Sequence, residues 1–101
     1  MSNTTNKESW HWNGEERPIQ YIARLISDGF VDRIQFENCA GEVPIQIRML
    51  QYRVDRPTLF YAHEISTKEI EACAEIDQLL CRIIQHGMMQ IEYMKANPKP
   101  N

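Results

Sequence analysis

The chain has 101 residues, 43% of them hydrophobic and 25% charged, with 11 basic against 14 acidic side chains and a formal charge of −3. This is the composition of one folded domain with one core, not of a disordered segment. The acidic balance argues against nucleic acid as the main partner, because binding phosphate needs an excess of Lys and Arg. Cys39, Cys73 and Cys81 are odd in number and lack C-x-x-C spacing, so they read as reduced thiols, two of them inside an apolar helical pattern. With no apolar leader and no apolar run long enough to cross a bilayer, the expectation is a soluble cytoplasmic protein.

Residues 1–16 form a polar N-terminal segment broken by Trp10 and Trp12, whose indoles would share one face of extended chain. They are expected to dock on the domain, with an exposed aromatic anchor as the alternative. A single α+β domain is expected over 17–96 and a disordered tail over 97–101. Ile19, Ile22, Ala23 and Ile26 recur at helical offsets behind Pro18 and ahead of Gly29, which favours a helix over 18–28. The alternative is a strand, with Asp28-Gly29 closing a hairpin.

Three strand-like runs follow. Ile34 and Phe36 alternate with Arg33, Gln35 and Glu37. In the second run Val43, Ile45, Ile47 and Met49 hold one phase, while Leu50, Tyr52 and Val54 hold the other. A bulge near Met49-Leu50 would return both halves to the same side. Asp55-Arg56-Pro57 reads as a turn, and the third run covers Leu59 to Ile65. Ser66 and Glu69 then form a capping-box pattern ahead of apolar residues at helical spacing, so a long helix is expected from 66 to 96, with Gly87 as its weak point. The fold class is therefore α+β: a helix, a three-stranded antiparallel sheet, and a long C-terminal helix packed on one sheet face.

That order leaves the other sheet face open. With the bulge at Met49-Leu50, Arg33, Gln35, Gln46, Arg48, Gln51, Arg53 and Phe60 fall on it as candidate partner-binding residues. The C-terminal helix supplies a second candidate. At about 45 Å it would overhang a domain about 34 Å across. Leu80, Ile84, Met88, Ile91 and Met94 would then face a second subunit or a partner. No residue is assigned a catalytic, cofactor-binding or metal-binding role. His11, His63 and His86 have no ligand spacing among them, and there is no glycine-rich phosphate loop, nucleophile elbow or HExxH.

In element order the stretch from Pro18 to Ile84 resembles the double-stranded-RNA-binding domain, and Pro18-Ile19-Gln20-Tyr21-Ile22 is similar to the start of that family's first helix. The resemblance implies a phosphate-binding lysine cluster at Ser66-Thr67-Lys68-Glu69-Ile70-Glu71. Only Lys68 is basic there, and two glutamates intrude. Asp28-Gly29 with Asp32-Arg33-Ile34-Gln35-Phe36 also resembles the small domain that precedes the motor of secretion and pilus ATPases, but no Walker motif follows. The expected function is a small non-enzymatic protein-binding module (adaptor, chaperone, inhibitor or immunity-type protein), homodimeric or bound to another protein. A degenerate nucleic-acid-binding domain using Arg33, Arg48, Arg53 and Lys68 is the alternative.

Overall fold

The computed structural model describes residues 9–39, 41 and 43–97. Residues 1–8 of the expected polar segment, and the expected tail from residue 98 onward, lie outside the described residues. The elements are α1 (Pro18–Ser27), β1 (Arg33–Asn38), β2 (Ile45–Arg53), β3 (Arg56–Ile65), α2 (Thr67–Ala72) and α3 (Ile76–Ala96). The strands pair antiparallel in the order β1-β2-β3, and α3 packs on the sheet against β3. The expected α+β architecture is the one observed.

Residues 18–28 are helical, and the capping shows why. Pro18 occupies the first turn, where its missing N–H costs nothing. At the other end Gly29 has φ +80°, Phe30 N donates to Leu25 O and Gly29 N donates to Ile26 O. That pair of bonds is a Schellman motif, so Asp28-Gly29 stops a helix and does not close a hairpin. Tyr21 and Leu25, four apart, turn inward and are fully buried.

β2 keeps one register from Ile45 to Gln51, with Ile45, Ile47, Met49 and Gln51 all on the helix side. The expected bulge at Met49-Leu50 is therefore absent. The irregularity sits at the hairpin end, where Pro57 and Thr58 of β3 stand opposite Tyr52 alone, between the Gln51–Leu59 and Arg53–Arg56 pairs. Proline tolerates that place because it has no ladder hydrogen bond to give. Asp55 closes the two-residue turn at φ 61°, a conformation its short polar side chain accepts better than most.

The single helix expected over 66–96 is two. Ser66 and Glu69 make both bonds of the capping box that starts α2, at 3.0 and 3.1 Å. The chain then leaves the helix at Cys73, which is extended at φ −86°, ψ 144°, and re-enters it after Glu75. No Gly or Pro marks this break. Cys73 instead turns back on α2, its N–H and its thiol both directed at Ile70 O. Gly87, by contrast, interrupts nothing. A Cβ at this position would lie 2.7 and 2.9 Å from Tyr61 ring carbons and closer still to Met49 Sδ. Glycine lets α3 settle directly onto β2 and β3, and Met88, Ile84 and Ile91 are fully buried around it.

The N-terminal segment is clasped to α1. Arg24 donates through Nε and Nη2 to both carboxylate oxygens of Glu16, at 2.7 and 2.8 Å, and through Nη1 and Nη2 to Ser9 O and His11 O. Tyr21 donates its hydroxyl to Trp10 O, Trp12 Nε1 donates to Glu16 O, and Trp12 N donates to Gln85 Oε1 on α3. Both indoles pack against the core. A two-pronged Arg–carboxylate bond fixes geometry as well as charge, which makes it a good anchor for a segment with no regular structure.

Two outcomes follow for stability. Gly87→Ala improves helix propensity by up to ~1 kcal/mol, whereas overpacking a tight core costs about 1–3 kcal/mol. The clash wins, and the variant unfolds at lower temperature or denaturant than the parent by calorimetry or urea titration. Glu16→Gln costs about 1–3 kcal/mol at neutral pH by weakening a charged bond, and loosens Trp10 and Trp12, which red-shifts the tryptophan emission. Arg24 holds the Glu16 carboxyl below its ordinary value of 4.5. The pair's contribution is therefore full above that value and is lost as pH falls through the lower folded-state value. Melting temperature drops less for Glu16→Gln than for the parent between about pH 5 and about pH 3.

Candidate interaction face

The register sets out the open face of the sheet as three rows. Each joins residues directly opposite one another, which therefore point the same way. The row nearest the β2–β3 turn is Arg33, Leu50 and Phe60, the middle row is Gln35, Arg48 and Ala62, and the far row is Glu37, Gln46 and Glu64. Tyr52 continues β2 beyond Leu50 on the same side. Phe60 and Tyr52 are 50% and 52% exposed.

The two ends of this face differ in character. At the far end the polar groups satisfy one another. Arg48 Nη2 lies 3.2 Å from Glu37 Oε1, Arg48 Nε donates to Gln46 Oε1 at 2.7 Å, and Gln46 Nε2 reaches Glu64 Oε2 at 3.5 Å. At the turn end Leu50, Tyr52 and Phe60 form an apolar cluster, edged by Arg33 and backed by no helix. Leu50 and Tyr52 were masked in the sequence by the assumed bulge, which moved them to the core side. Read without it, strict alternation along β2 exposes them.

Five of the seven residues expected on the open face are there: Arg33, Gln35, Gln46, Arg48 and Phe60. Gln51 and Arg53 are not. Gln51 is opposite the buried Leu59 on the helix side, 9% exposed, and donates to Phe30 O at 2.8 Å. Arg53 lies on that side too, in a cleft of about 540 Å³ with Arg56, Pro57, Leu59, Tyr93 and Met94. Both follow from the missing bulge, since a one-residue slip moves every later side chain to the other face.

The C-terminal helix offers less free surface than its sequence suggests. Ile84, Met88 and Ile91 are fully buried in the chain's own core, and Leu80 and Met94 pack against it. These five residues do not form a free seam for a second subunit. The overhang is also gone, because α3 has 21 residues, about 31 Å of helix, in a molecule 43 Å along its longest axis.

One cluster of titratable side chains went unseen in the sequence. His63 Nδ1 is 3.4 Å from the Tyr61 hydroxyl, and His63 Nε2 is 3.5 Å from Glu69 Oε2 without a hydrogen bond to it. Residues two apart on a strand share a face, and α2 brings Glu69 over them. The chemistry this could support is limited. Burial raises the Tyr61 hydroxyl above its ordinary value, the reverse of an activated nucleophile, and Glu69 Oε1 is already committed to capping α2. Burial likewise pushes the Cys81 thiol up to about 11, where it points at Glu16 O from inside the core. Cys39 is exposed and Cys73 half-buried. Among the described residues no three His, Cys, Asp or Glu side chains converge as metal ligands would, and no helix is long and apolar enough to cross a membrane. Comparison of the chain with protein families, with curated protein sequences and with solved structures gives no match to any of them.

Proposed function

We propose that this chain is a small non-enzymatic protein-binding module, of the adaptor, chaperone, inhibitor or immunity type, which docks a partner protein on the open face of its sheet. The observation that supports this reading is the apolar cluster of Leu50, Tyr52 and Phe60 beside a self-satisfied polar lattice. Aromatic side chains rimmed by polar groups are what protein interfaces use, because they bury much area for little lost freedom. The molecule is 19 Å across its thinnest dimension. A partner laid on the sheet would add the second covering layer that most sheets have.

The geometry disfavours the nucleic-acid alternative. Arg33 and Arg48 share the open face, but Arg48 is paired with Glu37, Arg53 is on the opposite side, and Lys68 sits on α2. A phosphate backbone needs several cations in one track.

A photoreactive phenylalanine analogue at position 60, introduced in the native host, tests the proposal. It is expected to cross-link to a discrete protein, with an adduct resistant to nuclease. The same analogue at Arg82, exposed on α3, gives none. Tyr52→Glu abolishes the adduct while shifting stability by no more than about 0.5 kcal/mol, as surface changes do. An adduct that nuclease removes, or equal labelling from both positions, contradicts the reading.

A further inference from the structure

The two edges of the sheet are protected very differently. β3 carries Pro57 and a bulge, both of which spoil pairing with another strand. β1 reads Arg33-Ile34-Gln35-Phe36-Glu37-Asn38, with no proline, lysine, glycine or bulge, and no charge on its helix-facing side. Its backbone is also aimed correctly. Cys39 N donates to Pro44 O, one step beyond the Asn38–Ile45 pair. Hydrogen-bonded pairs alternate along an antiparallel ladder, so Glu37 and Gln35 turn their N–H and C=O groups toward β2. Those of Ile34, Phe36 and Asn38 turn to the free edge.

We propose that two copies of this chain pair antiparallel through β1, with Gln35 opposite Gln35 of the second copy. A two-fold axis perpendicular to the sheet keeps the open faces of both copies on the same side, so each residue must meet one of the same face. Several registers meet that condition, and charge selects among them. Centring on Gln35 sets Arg33 of each copy opposite Glu37 of the other, giving two ion pairs, and sets Ile34 opposite Phe36 on the helix side. A register centred on Phe36 sets Glu37 opposite Gln35 and leaves Arg33 opposite Cys39, with no ion pair. The Gln35 register also makes Ile34 and Phe36 a hydrogen-bonded pair, as their outward groups require.

The pairing accounts for two features of the free chain. Phe36 faces the helix side yet is 45% exposed, because it stands on the edge strand beside Ile47 with no further strand beyond it among the described residues. In the dimer Ile34 of the second copy covers it. Arg33 makes no ion pair among the described residues, while Glu37 has one carboxylate oxygen near Arg48 and a side chain 48% exposed on the edge strand. The result is a continuous six-stranded sheet in which the row Phe60, Leu50, Arg33 runs on into Glu37, Gln46, Glu64 of the second copy. This inference stands whether or not the open face has a hetero-partner.

Sedimentation equilibrium at about 100 μM tests it, a concentration suited to an interface at the small end of the size range. The parent chain sediments as a dimer. Arg33→Glu and Glu37→Arg each set like charges opposite each other twice per dimer and weaken association about tenfold or more. The double variant Arg33→Glu/Glu37→Arg reverses both pairs and restores the dimer. Gln35→Cys in a Cys39→Ser background gives a second reading independent of affinity. The two introduced thiols lie directly opposite in a close pair and form an intermolecular disulfide on mild oxidation. Cysteine placed at Phe36 instead does not meet its own copy and stays reduced. A monomeric parent, a dimer indifferent to the single reversals, a double variant that stays monomeric, or cross-linking at 36 in preference to 35 each overturns the proposal.

Discussion

The arrangement of this chain depends on how closely α3 can approach the sheet at Gly87. Glycine at that point removes the Cβ that would strike the Tyr61 ring and Met49 Sδ. With the helix seated, Ile84, Met88 and Ile91 reach the core, and β2 and β3 are covered by one rigid rod. A side chain at 87 would push the rod outward and open a gap along its whole length, since packed interiors forfeit contact energy over very small separations. The ordinary rule that glycine weakens a helix is overridden here by a tertiary requirement.

The same seating determines what is left over. Because α3 lies over β3 and the N-terminal segment is strapped to α1 by Arg24 and Glu16, all that covers the sheet among the described residues is on one side of it. Among the described residues nothing covers the opposite face or the β1 edge, which carry Leu50, Tyr52 and Phe60 on the face and the half-exposed Phe36 at the edge. Fold and candidate site are thus one problem, since the site is the surface that the core does not use.

Much of this was legible in the residues. Pro18 and Gly29 bracket α1, Ser66 and Glu69 start α2, and simple alternation places Arg33, Gln35 and Arg48 outward, because each signal is local and acts through the backbone beside it. Two features escape a local reading. The phase of β2 at Leu50 is not legible locally, since an apolar residue on an open face looks like a slip of register until the pairing with β1 and β3 is known. The break at Cys73–Glu75 carries no glycine or proline to announce it. Gly87 was legible as an exception but not as to its cause, because the atoms it makes room for, in Met49 and Tyr61, are 38 and 26 positions away.

The seating of α3 is open to direct observation by nuclear magnetic resonance. The structure places the Gly87 α-protons against the face of β3, so cross-relaxation to the Tyr61 ring protons and to the Met49 methyl group should be strong. The ring should also move the two Gly87 α-protons apart in chemical shift. Gly87 α-protons with degenerate shifts and no cross-relaxation to Tyr61 would contradict the close approach, and with it the account of which surfaces this chain leaves free.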